Sequence, residues 1–382
     1  MDFDLTDEQS ATAEAAAKLL LDKSSPERIR VVERAGDVVF DRELWRAMAE
    51  AGLLGIAVPD GQGGAGLTIL EAALVLQEVG RRTAPVPALA GIGFATPTLA
   101  AYGSPAQKAA VLPGVADGTI VATGAFVEYL GDPTSPSTTA ATGVDGGGGW
   151  TLTGVKTNVP AALVADTILV SASTQDGRTG VFLLNPAGAG VTLAAQATTA
   201  ATPDAELTLS GAPAEAVGPV DTDGTVLRHA LEHATVAVCA VMAGLTAEAV
   251  RLTGEYTASR EQFGRPIATF QAVGQRAADA YVDSKAIELT MLQAAWRISA
   301  GAPADREVAV AKYWAAEGGQ RIARAAAHLH GGVGVDRDYP LHRYFLLAKQ
   351  LELMLGGANR QLVALGRILA AEGSHRPDQL LT

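Results

Sequence analysis

The sequence predicts an α+β protein, mostly α, in which a helical domain, a β domain and a helical bundle follow one another. Three observations carry this. Residues 5–118 repeat apolar positions every three or four residues; 120–224 lose that period and become rich in Thr, Val, Gly and Pro; from 225 long amphipathic periods return. We place the boundaries at 1–119, 120–224 and 225–372, with a poorly ordered tail at 373–382. No internal repeat of the solenoid or propeller type is present.

Taken in order, Thr6 is the N-cap of a first helix with acids in its first turn. "RELWRAMAEAGLLGI" (42–56) and "ILEAALVLQEVGRR" (69–82) continue the helical pattern on either side of the Gly-rich "VPDGQGGAGL" (58–67). The runs "WTLTG", "DTILVSAS", "TGVFLLNP" and "AELTLSG" lie between Gly, Pro and Asp turns, the signature of an antiparallel β domain. Only two bases, Lys156 and Arg178, occur there. Helices are expected at 225–258, 269–300 and 304–330, then as a pair on either side of Gly356-Gly357. Long helices joined by short connections form a bundle.

Composition narrows the function. With 382 residues, 48% hydrophobic and 18% charged, the chain is long enough for two or three cored domains and is not disordered. A net charge of −12 and the absence of a basic run argue against nucleic acid or an anionic membrane as partner. The single cysteine, Cys239, excludes an internal disulfide framework and suits a reducing cytoplasm. The acidic N-terminus lacks the pattern of a signal peptide. "ATVAVCAVMAGL" (234–245) is too short an apolar run for a membrane span and reads as a buried helix.

Neither a Walker A loop nor a G-x-G-x-x-G after a strand is present. "HALEH" (229–233) formally matches the inverted zincin pattern H-x-x-E-H, but the helix runs on into a very apolar face, and we read these residues as structural. "YTASREQFGRPIATFQ" (256–271) sets Arg260 and Gln262 beside a turn between two helices, where a guanidinium can hold a phosphate bidentately. "HLHGGVGVDRDYPLHRYF" (328–345) ends a helix on two glycines, which lets a pyrophosphate or another backbone approach.

In order and spacing these stretches, with "GSPAQKAAVLPGVADG" (103–118), resemble the acyl-CoA dehydrogenases over residues 3–371. The resemblance implies an N-terminal helical domain, a β-barrel-like middle domain and a C-terminal four-helix bundle. It also implies FAD, an acyl-CoA substrate, α,β-desaturation with a glutamate as base, and an electron-transferring flavoprotein as acceptor. In that family FAD lies across a subunit interface. Each chain then offers the mate's FAD a half-site for its ADP end, here Arg260, Gln262, Phe263, Ile267, Phe270, His328, Leu329, Gly331 and Gly332. His328 stands where the family usually has Gln, and imidazole still donates a hydrogen bond.

The other half-site departs from the family. The usual "TEP..GSD" is missing from "ATGAFVEYLGDP" (122–133), and the flavin-facing "WIT" falls on Asn158-Val159-Pro160. "RDA" falls on Leu346-Leu347-Ala348, and "YEGT" on Met354-Leu355-Gly356-Gly357. The base position is thus Leu355. A minority of the family places the base on the first bundle helix, at Ala234 here; Glu232 is two residues away, about 200° around the helix. The neighbouring substrate-binding Arg of many members falls on Thr235. Intact and degraded half-sites together resemble the base-lacking subunit of α2β2 steroid side-chain acyl-CoA dehydrogenases, whose homologous partner is the catalytic subunit. A self-sufficient homotetrameric acyl-CoA dehydrogenase using Glu232 or another base, and a non-enzymatic CoA-ester binding or scaffold protein, are the alternatives.

Overall fold

The computed structural model describes residues 4–36, 38–142 and 149–371; the tail expected at 373–382 lies outside them. Its first part is helical: α1 (Asp7–Lys23), α2 (Pro26–Arg34), α3 (Arg42–Glu50), α4 (Ile69–Arg81), a π-helical stretch Leu89–Ala95, α5 (Thr96–Tyr102) and α6 (Pro105–Ala116). Thr6, Thr68 and Ser104 each close a reciprocal capping box with Gln9, Glu71 and Gln107. "VPDGQGGAGL" forms the turn before α4, as its glycines imply.

The β part contains β1 (Ala122–Ala125), β2 (Thr139–Thr142), β3 (Trp150–Val159), β4 (Thr167–Thr174), β5 (Thr179–Leu184), β6 (Val191–Ala195) and β7 (Ala205–Ala216). Strands β4, β2, β3, β7 and β5 pair in that order, and β5 returns to β4, so the sheet closes on itself. β1 extends it beside β4, and β6 pairs with β7. The expectation of a purely antiparallel domain needs correcting, because β4 runs parallel to both β1 and β2. β1 enters from the helical domain, and the chain between β1 and β4 is long enough for the crossover that parallel pairing requires. Closure removes the exposed edges that a short open sheet would present.

The bundle follows: α7 (Thr225–Ser259), a hairpin of β8 (Glu261–Gln262) and β9 (Arg265–Pro266), α8 (Gln271–Ser299), α9 (Asp305–His330), α10 (Leu341–Leu353) and α11 (Ala358–Ala371). At 35 residues α7 is long and apolar enough to cross a membrane, contrary to the impression left by its apolar run, yet 78% of its most apolar window is buried inside the protein. It is the central core helix. Its close approach to α4 depends on glycine: a Cβ on Gly244 would lie 1.6 Å from the Gln77 carbonyl oxygen, and one on Gly80 2.0 Å from that of Val241. Lys312 of α9 is wholly buried and donates to the carbonyls of Leu351 and Glu352 at 3.1 and 3.0 Å, placing a cation at the C-terminus of α10. This anchors the turn that carries Leu355.

Candidate functional site: an open cationic shelf and a buried Leu355

The shelf forms where α7 ends. Arg260 leaves the helix in extended conformation, and Ile267 N–H donates to its carbonyl at 2.8 Å, fixing the hairpin that follows. Phe263 and Gly264, at φ 54° and 75°, make its two-residue turn; positive φ at both central residues matches the twist of a tight hairpin. Phe263 stands 91% exposed, with its ring edge-on to Phe270 at 6.1 Å, and the Arg265 guanidinium covers Phe270 at 4.3 Å. Such an exposed, strained aromatic is costly unless something covers it.

The opposite wall comes from the end of α9. Gly331 stops the helix at φ 61°, ψ −140°, a conformation open to glycine, and a Cβ on Gly331 or Gly332 would meet nothing within 4 Å. Beneath it His330 is buried: Nδ1 bonds the Ala326 carbonyl at 2.8 Å, Nε2 the Tyr339 hydroxyl at 3.2 Å, and the ring stacks on Tyr256 at 4.4 Å. A cavity of about 540 Å³ results. Arg260, Gln262, Ile267, His328, Leu329, Gly331 and Gly332 line it together, whereas Phe263 and Phe270 do not. Tyr256, His330, Val333 and Asp336 complete the lining and were not nominated by sequence reasoning. Tyr256 had a signal, standing one helical turn before Arg260.

A second cavity, of about 580 Å³, opens between α2, the segment from Thr83 to Ala90, Pro160-Ala161, the loop from Thr198 to Asp204, and α10. Pro160, Leu346, Leu347 and Met354 line it. Leu355 does not; it takes φ 59° and packs 6% exposed into the main core. The two acids lining this cavity are engaged. Glu33 receives both arms of Arg343 at 2.7 Å. Asp204 accepts from Ala161 N–H at 3.1 Å and from the Gln350 amide at 2.9 Å, and its burial pushes the carboxyl up from the ordinary range.

Glu232 lies elsewhere. It is absent from the lining of this cavity, burial raises its pKa, Arg228 opposes the rise and Asp305 adds to it. Ala234 and Thr235 are buried as well. The rings of His229 and His233 of "HALEH" lie 4.0 Å apart, tilted by 33°, His229 bonding the Pro97 carbonyl and His233 that of His229. Among the described residues no group of three or more His, Cys, Asp or Glu is placed to hold a metal.

The pair of histidines carries a pH prediction. Burial first, and the neighbouring His229 second, hold His233 down to about 3, against an ordinary 6.5. The unfolded chain therefore takes up a proton below pH 6.5 that the native protein refuses, and stability falls as pH drops from 6.5 toward 3. The slope is about 1.4 kcal/mol per pH unit for this one group. Urea unfolding at pH 7 and pH 5 should show the loss, and His233→Gln should flatten the slope; an equal slope in the variant refutes the assignment.

Helical, barrel and bundle parts in this order, with a phosphate-suited arginine between α7 and α8, define a fold shared with a family of flavin-dependent oxidoreductases. The chain belongs to the acyl-CoA dehydrogenase family: the model of the family's N-terminal domain matches residues 6–119 and that of its C-terminal domain residues 223–370. It is 42% identical to acyl-CoA dehydrogenase FadE27 of Mycobacterium tuberculosis, over 91% of this chain and 92% of that one. Among solved structures it resembles a chain of the ChsE4-ChsE5 complex from Mycobacterium tuberculosis at 40% identity and TM-score 0.90, covering 97% of this chain and 99% of that one. A variant of the Tcur3481-Tcur3483 steroid ACAD matches with 38% identity and TM-score 0.91 over the same shares.

FAD is the cofactor of this family, and the shelf fits one end of it. The Arg260 guanidinium is exposed and makes no ion pair or hydrogen bond among the described residues, while Gln262 and His328 offer further donors and Gly331-Gly332 leave room for a ligand. The second cavity is lined differently. Pro160 and Leu346 bring no hydrogen-bonding side chain, and no disengaged carboxylate lines the wall.

Proposed function

We propose that this chain is the non-catalytic subunit of a heteromeric acyl-CoA dehydrogenase, completing the FAD site of a homologous partner that supplies the base. One observation carries the reading: an exposed Arg260 shelf, unpartnered among the described residues, coexists with a buried leucine where the family resemblance puts the base. FAD supplies the hydride acceptor. This chain supplies the cationic and donor groups around its ADP end, while removal of the α-proton belongs to the partner. The likeness to the ChsE4-ChsE5 complex and to a steroid ACAD favours an α2β2 assembly acting on a bulky CoA thioester, such as that of a steroid side chain. Electrons then pass to an electron-transferring flavoprotein, in the cytoplasm.

The test is co-expression with neighbouring acyl-CoA dehydrogenase genes, followed by flavin absorbance per protomer and a dehydrogenase assay. Two FAD per four chains, with turnover in the complex alone, is the expected result. A yellow, active homo-oligomer of this chain would refute the proposal.

A further inference from the structure

A second cationic groove adjoins the shelf. It lies between α8 and α9, has a volume of about 590 Å³, and shares His328 with the cavity beside Arg260. Arg324 is one helical turn before His328, so its side chain emerges on the same face about 6 Å along the axis. Arg276 of α8 joins it in the lining of the groove. Neither guanidinium makes an ion pair or hydrogen bond among the described residues, and both are exposed.

The acids of the groove do not explain them. Asp283 is occupied by both arms of Arg321, at 2.8 and 2.7 Å, leaving Asp279 as the other acid in the lining. In a chain of net charge −12, two unpaired arginines converging on one histidine concentrate positive potential at one point of an acidic surface. Arg321, by contrast, is spent on Asp283 and Glu317. His328 separates Arg260 on one side from Arg276 and Arg324 on the other, so a single anionic ligand crossing the imidazole would meet all three.

We infer that Arg276 and Arg324 form a second anion subsite for the diphosphate-bearing end of FAD, extending the Arg260 shelf across His328 into the α8–α9 groove. The inference rests on the proposed role of this chain in completing a partner's FAD site. It adds two residues outside the FAD half-site that the family resemblance names, and it assigns the charge of one dinucleotide to cations from three places: the end of α7, α8 and α9.

The test uses the co-expressed complex, stripped of flavin and titrated with FAD by quenching of flavin fluorescence at low and moderate salt. Arg276→Gln and Arg324→Gln together should weaken FAD binding about tenfold or more and flatten its salt dependence. Arg321→Gln, whose cation is already paired, should leave FAD affinity unchanged. Gel filtration run alongside reports whether the complex stays whole. The inference is overturned if the double variant binds FAD as the parent does, or if it dissociates the complex instead, which would make the groove a subunit contact. If Arg260→Glu loses flavin while the double variant keeps it, only the extension fails. A parent complex without flavin would defeat the underlying proposal itself.

Discussion

Reversing the charge at Arg260, by Arg260→Glu, is expected to leave the co-expressed complex almost free of flavin. Arg260 offers a planar fork suited to phosphate and, among the described residues, spends none of it on an ion pair or hydrogen bond. Losing a charge-assisted, bidentate contact and placing a carboxylate against a diphosphate should together weaken binding roughly a hundredfold. The fold should not notice. The side chain is exposed, and the hairpin after it is held by the backbone bond from Ile267 to the Arg260 carbonyl at 2.8 Å, which survives the substitution. The thermal transition of this chain purified alone should therefore stay where it is while the absorbance ratio of flavin to protein in the complex collapses. An Arg260→Glu complex with full flavin would remove the shelf from the cofactor site altogether.

The residues of that shelf were named through the family resemblance, and they sit in two short stretches with a rigid local grammar. A helix end, a positive-φ turn at Phe263-Gly264 and a glycine stop at Gly331 are each coded within a few residues. The same holds for the helix starts at Thr6, Thr68 and Ser104, whose capping partners lie three residues on. What the sequence hid is long-range. The parallel pairings of β4 and the closure of β4 on β5 join segments whose local texture is the same in either orientation. Tyr256, His330 and Tyr339 form one stacked, hydrogen-bonded cluster under the shelf, though they come from α7, α9 and the connection to α10. Nor does any local rule predict that Leu355 takes φ 59° to reach the core, a conformation that a leucine adopts only where burial outweighs the strain. The leucine at 355 was visible in the sequence; its burial in the main core was not.

Lys156→Met should destabilise the protein by about 3–5 kcal/mol, a large share of what holds a domain together. Lys156 is fully buried inside the β domain and donates to Glu128 at 2.7 Å and to the Ser171 hydroxyl at 3.0 Å. Glu128 in turn accepts from the backbone and hydroxyl groups of Ser137 and Thr138, at 2.5 to 2.8 Å. Burial alone would push this carboxyl up, yet the ammonium of Lys156 and those hydrogen bonds hold it at about 2. Burial also draws Lys156 down to about 8 against the pull of Glu128, so both groups are charged at neutral pH. Methionine removes the cation and leaves Glu128 as a buried carboxylate without a counter-charge. Adding Glu128→Gln to Lys156→Met should then restore part of the loss, because the second substitution removes the stranded charge. The sign of the pH dependence follows from Glu128: its contribution is complete above its ordinary 4.5 and disappears as pH falls toward 2. Urea titration of the parent, the single variant and the double variant at pH 7 measures all of this. A single-variant cost below about 1 kcal/mol, the level of an exposed pair, would show that water reaches the site and that the barrel is looser than its packing implies.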